Sequence, residues 1–402
     1  MIDSIVIAET GLQGYEQALQ TISNNTANMN TPGFKGSTTQ FADLASARDT
    51  ALGGGDFGHA GLGLQTLGTA LDFSPGQFQS TGNPLDLAVN GQGFFTLRDA
   101  KGEVHYTKDG QFKFDDANQL VSTTTGEAVM ALDSAGALVP VSIANLQTNP
   151  PKATTTLTMS GTIGVPPTTS STTPVPINNL SVIDPDGNSH ALSATATLRT
   201  GTPPTWDIAL LDGTKPVGSP QTLTFAPGGI SVTGSGKLTY DYAYTTTAGG
   251  PTMPITLDFS TGVTSPPTGS SSSIGLAKKD GYAIGTVTGE TFDETGTLVL
   301  TYSNGQTAKP MQLALAQFDS PDQVEALGNN LFRAKDGAAW RVGLSGSIGF
   351  GSVKSNEIEG SNVDLSREFS NLVIMQRGYQ ACSQVVTTAG DMLTALFGMM
   401  PK

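Results

Sequence analysis

Of its 402 residues, only one is cysteine, Cys382, so no disulfide can close within the chain, and that residue reads as a small member of a helix seam. Charge is scarce as well. Asp, Glu, Lys and Arg make up 13% of the residues, roughly half the usual share. The net charge is −14 and Lys/Arg clusters are missing, which excludes nucleic acid as a partner. No apolar run reaches the roughly 18 residues that a bilayer requires, so no membrane insertion is expected. The first residues carry Asp3 and Glu9 and no basic segment, unlike a secretory signal peptide. Yet Thr, Gly and Ser are abundant, as in extracellular proteins. Export without a cleaved signal peptide is the expectation that joins these two facts.

Catalytic and metal chemistry is equally thin, and no catalytic residue, cofactor site or metal site is expected. The three histidines, His59, His105 and His190, lie far apart with no acidic or cysteine neighbour at ligand spacing. Gly234-Ser235-Gly236-Lys237 has the look of a phosphate loop, but Ser231 replaces the required glycine and Leu238 the required hydroxyl, so it reads as a turn. Asp184-Pro185-Asp186-Gly187-Asn188 opens like a calcium loop, but the distal glutamate is missing, since no Glu lies nearby; this too reads as a turn. Asp115-Asp116 sits in turn context. No G-x-S-x-G elbow occurs.

What the chain does have begins at its ends. Ile5, Ala8, Leu12, Tyr15, Leu19, Ile22, Thr26 and Met29 follow an alternating 3,4 spacing, and Leu372, Met375, Tyr379, Cys382, Val386, Ala389, Leu393, Leu396 and Met400 do the same. That period places each set along one helix face, as in a coiled-coil seam, and neither stripe can be buried by its own helix. The expected partner is the other end of the same chain. Helix one is expected over 4–30, stopped by Pro32 and Gly33. Helix two is expected from Ser361-Asn362-Val363-Asp364, which has the form of a capping box, to about Phe397.

Between the ends the pattern is that of strands. The 49 glycines and 23 prolines favour short strands and turns. Residues 34–71, with Gly53-Gly54-Gly55 and Gly61-Leu62-Gly63, read as a Gly/Thr-rich connector with little fold of its own and a short helix near 40–48. Leu85 to Val89 alternates before the turn signal Asn90-Gly91. No glutamate occurs between Glu127 and Glu290, a stretch rich in Thr, Ser, Pro and Gly, too poor in helix formers for anything but β structure. In it Leu238, Tyr240, Tyr242 and Tyr244 alternate as a half-buried strand, and Trp206, Phe225 and Phe259 with these tyrosines read as core. From about Gly285 the strand-and-turn pattern of 72–145 returns. The fold class is therefore mainly β with terminal α-helices, in nested order. Residues 1–33 are the N-terminal helix of an inner core domain, 34–71 the connector, 72–145 and 285–358 a discontinuous β domain, 146–284 an inserted outer β domain, and 359–402 the C-terminal helix of the core.

Ser23-Asn24-Asn25-Thr26-Ala27-Asn28-Met29-Asn30-Thr31-Pro32-Gly33-Phe34-Lys35 resembles the N-terminal signature of bacterial flagellar rod, hook and hook-associated proteins. Ser361-Asn362-Val363-Asp364-Leu365-Ser366, followed by Gln376-Arg377-Gly378-Tyr379-Gln380-Ala381, is similar to their C-terminal signature. Leu85 to Phe95, Tyr106 to Phe112, Ile183 to His190 and Thr297 to Gln306 narrow the resemblance to hook proteins. It covers about 1–145 and 285–402 well and the middle weakly. The resemblance implies a non-enzymatic subunit that stacks helically with copies of itself into a curved hollow tube, extracellular, with its terminal helices innermost. Implied partners are a distal rod protein, a hook cap protein, a hook-filament junction protein and the flagellar type III export apparatus. Gln380, Gln384, Thr387 and Thr388, uncharged and hydrophilic, are expected to face the lumen. The alternatives are a distal rod or hook-associated axial protein and, more remotely, a secreted β-rich adhesin or polysaccharide-active enzyme, which would need an exposed aromatic groove or a carboxylate pair.

Overall fold

The computed structural model describes residues 2–44, 47–48, 59–133, 135–165, 173–199, 204–229, 231–245, 250–266, 271–335 and 340–399. The chain divides into two compact units. One comprises Met1–Asn145, Glu290–Leu300 and Ala308–Lys402, the other Leu146–Gly289 and Thr301–Thr307.

The first unit begins and ends in helices. α1 spans Ile2–Ala27 and α2 spans Leu365–Gly398. α1 stops three residues before the expected end, and Asn28–Asn30 continue as turns. α2 starts later than expected. Its N-cap is Asp364, not Ser361: the Asp364 carboxylate accepts from the backbone N–H of Ser366 at 2.8 Å and of Arg367 at 3.3 Å. A carboxylate at this position satisfies two orphan donors and opposes the positive end of the helix dipole. The Ser361 hydroxyl instead accepts from the Val363 N–H within the approach to the helix.

The connector is the clearest departure from expectation. Ser37–Asp43 pairs antiparallel with Leu64–Leu71, with an irregularity at Gln40/Phe41, and the expected short helix near 40–48 is strand instead. β-Branched and aromatic residues (Thr38, Thr39, Phe41) make this a strand by propensity. The hairpin gains a surface to lie on because it packs along α1. Gly53-Gly54-Gly55 lie outside the described residues.

Beyond it, a ten-stranded antiparallel sheet runs in the order Val324–Gly328, Leu331–Ala334, Val104–Thr107, Phe94–Arg98, Gln312–Phe318, Ala128–Leu132, Leu120–Ser122, Phe112–Phe114, with Leu138–Pro140 and Trp340–Leu344 paired off this path. Residues on either side of the insertion thus share one sheet, as in the pairs Leu315–Phe95 and Ala131–Leu313. Phe95, Phe112, Leu120, Met130 and Leu315 are fully buried in this unit. Two short pairings bring the approach to α2 back to the start of the domain: Ser352–Ser355 on Leu87–Asn90 and Glu357–Glu359 on Phe78–Ser80.

The second unit is two sheets over one core. Val175–Ile183, Ser189–Arg199, Thr205–Asp212 and Lys215–Thr224 form an antiparallel meander. Lys237–Ala243, Thr252–Asp258, Thr156–Thr162, Val263–Thr264 and Gly275–Lys279 form the other sheet, in which 156–162 runs parallel to 252–258. Trp206, Phe225, Tyr240, Tyr242 and Phe259 are buried between them and Tyr244 is half-buried, so these aromatics are core. Leu238, Tyr240 and Tyr242 alternate with exposed neighbours. The unit is larger than the expected 146–284. It takes in 285–289 and 301–307 because Gly285 and Thr286 pair with Asn149 and Thr148, and the Ser303 N–H donates to the Thr286 carbonyl.

Three aspartates of this unit, Asp184, Asp258 and Asp280, titrate below the ordinary 3.8. Burial pushes each upward, but hydrogen bonds outweigh it: from His190 and Asn188 to Asp184, from Ser260 to Asp258, and from Thr155 and Thr156 to Asp280. Depressed carboxylates contribute stability that is complete above the unfolded value and lost as pH falls through the folded ones. Urea denaturation of the full chain carrying Trp340→Phe, followed by Trp206 fluorescence, is therefore expected to show a stable plateau at neutral pH. Its midpoint should fall once pH drops below 3.8. An unchanged midpoint at that acidity would contradict it.

Candidate functional site

α1 and α2 pack against each other, antiparallel. The pairing is read from contacts that run in opposite directions along the two helices: Gly11 on Cys382, Tyr15 on Gly378, Asn25 on Glu368. The contact face differs from the expected stripe. On α1 the buried residues are Ala8, Gly11, Gly14, Ala18, Ile22 and Asn25, whereas Ile5, Leu12, Tyr15, Leu19 and Met29 are only half-buried. Two helices approach closely only where side chains are small. A Cβ on Gly11 would lie 2.8 Å from Cys382 Sγ, and one on Gly378 would lie 2.5 Å from the Tyr15 ring. The hairpin takes the adjoining face of α1, with Tyr15 and Phe41 rings 6.3 Å apart. Of the residues that the 3,4 spacing singled out, Ala8 and Ile22 are buried and Tyr15 meets Gly378, while Ile5, Leu12 and Leu19 flank the contact.

On α2, Leu372, Met375, Cys382, Val386 and Leu393 are half-buried and Ala389 is buried. Tyr379 is exposed, at 40%, because Gly378 occupies the inner position beside Tyr15, and Leu396 is 49% exposed. Met400 lies outside the described residues. A second apolar line remains uncovered on α2, with Ile374, Val385, Met392 and Met399 exposed. Gln380, Gln384, Thr387 and Thr388 are exposed too; the two threonine hydroxyls donate to the carbonyls of Ser383 and Gln384.

Just beyond the helices the two signature stretches interlock. The Asn25 side chain holds Ser37 in both directions, and its amide also reaches Glu368 at 3.3 Å. Thr31 donates to the Asn28 carboxamide, and the Phe34 N–H returns to the Thr31 carbonyl, which closes the turn after α1. Gly33 has φ +69°, and a Cβ there would lie 2.5 Å from the Asp109 nitrogen, so only glycine fits; its N–H donates to the Glu359 carbonyl. Asn362 accepts from the Gly36 N–H at 2.8 Å and donates to the Asp72 carbonyl at 2.7 Å. Val363 and Leu365 are half-buried beside it.

At the centre is a buried ion pair, Lys35 Nζ to Glu359 Oε1, 2.6 Å apart, with side chains 0% and 1% exposed. Lys35 also donates to the Ser74 carbonyl, and Glu359 Oε1 accepts from the Gly76 N–H. Lys108 Nζ stands 3.9 Å from Glu359 Oε2. Burial lowers the Lys108 ammonium to about 8, against the upward pull of Glu359 and with a further downward push from Lys35. This clasp ties the exit of α1, the approach to α2 and the β domain at one point. Sequence alone singles out Lys35 but not Glu359 or Lys108. The available signal is the alternation Glu357-Ile358-Glu359, an acidic residue with strand spacing two positions before the signature.

Elsewhere the titratable groups are engaged in structure. His105 meets Glu127 at 3.0 Å and His190 meets Asp184 at 2.9 Å, acidic neighbours supplied by the fold and not visible in the spacing. Asp184 accepts from the Asn188 backbone, the Asn188 side chain and His190, which occupies its oxygens as a turn residue. Asp115 likewise accepts from Ala117 and Gln119. Among the described residues no cluster of three metal-ligating side chains occurs, and no helix is long and apolar enough to cross a membrane.

The architecture is that of a mainly β chain whose two ends are folded onto each other as helices. Comparison with known proteins gives its kind. The profile of the flagella basal body rod protein matches residues 5–35, that of the flagellar hook protein FlgE/F/G D1 domain matches 88–173, and that of the flagellar basal body rod FlgEFG protein C-terminal region matches 354–399. The flagellar hook protein FlgE of Escherichia coli is 29% identical over 98% of both chains, and that of Borreliella burgdorferi is 28% identical over 98% of this chain and 99% of its own. A crystal structure of Helicobacter pylori flagellar hook protein FlgE2 aligns with 71% of this chain and 100% of its own, at 13% identity and a TM-score of 0.47. From end to end the chain is thus similar to flagellar rod and hook proteins.

Proposed function

We propose that the chain is the structural subunit of a flagellar hook, polymerising with copies of itself into a curved hollow tube outside the cell. The observation that carries this reading is alignment along 98% of both chains with proteins named for the hook, with both end signatures folded into one clasp. A hook must bend as it turns, so subunits approach on the inner side of the curve and separate on the outer. Surfaces rich in Thr, Ser and Gly and poor in charge suit that motion, since they make many small, water-mediated contacts in place of a few deep anchors. The tube acts as a flexible joint between rod and filament and as the channel for distal subunits. Its neighbours are a distal rod protein, a hook cap protein and a hook-filament junction protein, and it reaches its place through the flagellar type III export apparatus. Electron microscopy of cells lacking the protein tests the reading. Loss of hooks is expected, and intact hooks would overturn it.

Gln380, Gln384, Thr387 and Thr388 are exposed on α2, and in the tube we place them on the lumen wall. There an uncharged polar surface lets unfolded substrates pass without sticking. Leucine at both Gln380 and Gln384 is expected to leave hooks intact in micrographs while filaments become shorter or fail to form. Filaments of normal length would sink the assignment.

A further inference from the structure

Beside the clasp the first unit contains a cavity of about 510 Å³. Phe73, Pro75, Phe94 and Phe318 form its apolar walls, with Phe94 edge-on to Phe73 at 5.2 Å and to Phe318 at 5.6 Å. Lys108 and Gln317 line the same space. Lys108 is 4% exposed, its ammonium 5.4 Å from the centroid of the Phe94 ring.

The charges around it do not balance. Two buried ammonium groups, Lys35 and Lys108, face one buried carboxylate, Glu359. Glu359 Oε1 is committed to Lys35 and to the Gly76 N–H, and its Oε2 stays 3.9 Å from Lys108, beyond hydrogen-bond reach. The neighbouring carboxylate of Asp109 accepts from the Gln111 N–H and the Thr124 hydroxyl. At the rim Arg341 and Asp319 pair with each other at 2.9 Å. Lys108 therefore has the Gly91 carbonyl, at 3.1 Å, as its hydrogen-bond acceptor, and a buried cation short of a counter-charge is unfavourable. A second group is also unfilled. The Gln317 side chain, 9% exposed, donates to the Gln92 carboxamide, while its own Oε1 is buried without a partner.

We propose that this cavity binds a carboxylate carried on an apolar body with an N–H beside it, the chemistry of a peptide's acidic end. The carboxylate meets Lys108, the apolar body lies among the phenylalanine rings, and the N–H donates to Gln317. Such a group is presented by a chain segment of a neighbouring copy or by a free carboxylate, and the shared chemistry is what the site recognises. The site does not depend on the hook reading.

N-acetylphenylalanine carries all three features, and N-acetylphenylalaninamide lacks only the charge. Calorimetric titration of the full-length monomer is expected to show the acid binding and the amide at least about thirtyfold weaker, since the partner of a buried charge is lost. Lys108→Met should remove the preference for the acid. Where that variant fails to fold, Gln317→Leu in the same titration, and the ε-carbon resonance of Lys108 in the wild-type chain, replace it. The acid should bind Gln317→Leu more weakly, and it should shift the Lys108 titration upward from about 8. Equal affinity for acid and amide, or a Lys108 resonance that saturating acid leaves unmoved, overturns the proposal. Tube assembly under saturating acid separates the sources: inhibition assigns the occupant to a neighbouring copy, and unchanged assembly to a free carboxylate. Failure of the chain to form tubes at all would count against the hook reading and leave the binding result standing.

Discussion

Glu359→Ala is expected to destabilise the first unit by about 3–5 kcal/mol, because removal of one partner leaves a buried charge without compensation. The size follows from burial, since Lys35 and Glu359 are 0% and 1% exposed and Lys108 stands behind them. In the variant two ammonium groups would share a pocket with no carboxylate, and the Gly76 backbone would lose its anchor. Urea denaturation of the purified full chain measures the loss, and in a Trp340→Phe background the second unit serves as an internal reference because Trp206 then reports on it alone. The double variant Lys35→Met with Glu359→Leu should recover a large part of the stability, as an apolar pair of similar volume replaces the ion pair. A loss below about 1 kcal/mol in the single variant, the level of an exposed ion pair, would show that the clasp is solvated and not the tie described above.

Much of the fold is legible in the sequence. Period alone locates both helices, since a 3.5-residue repeat persists over many turns and leaves little ambiguity. The return of the strand-and-turn pattern after Gly285 discloses the nesting. The alternation of Leu238, Tyr240 and Tyr242 identifies a half-buried strand because β side chains alternate strictly. What is not legible depends on tertiary contact. The connector becomes a hairpin because α1 supplies a surface for it. The helix contact keeps Ala8 and Ile22 but adds Gly11, Gly14 and Ala18, because the spacing rule scores large apolar residues and cannot see that glycine marks the closest approach. Glu359 and Lys108 escape because isolated charged residues in a strand and a turn look like surface. Only the fold, which brings residues 35, 108 and 359 together, reveals them as buried partners.

The close approach of the helices leads to the second large effect. Gly378→Val is expected to abolish hooks while both β units remain folded. A Cβ at this position would meet the Tyr15 ring at 2.5–2.9 Å, and the valine methyls lie farther out still, so the helices must separate or Tyr15 must leave its place. Overpacking of this kind costs about 1–3 kcal/mol per subunit. A polymer feels that penalty at every subunit added, and each 1.4 kcal/mol corresponds to about tenfold in the concentration needed for assembly. The variant should therefore be exported and folded in its β units, with unchanged Trp206 and Trp340 fluorescence transitions, yet cells should lack hooks in micrographs and fail to swim. Tyr15→Ala in the same chain makes room for the valine methyls. It is expected to restore assembly in part, so that the pair shows coupling in a double-mutant cycle. Normal hooks on Gly378→Val cells would mean that α1 and α2 do not keep this contact in the assembled tube, and that the small-residue face serves a different partner there.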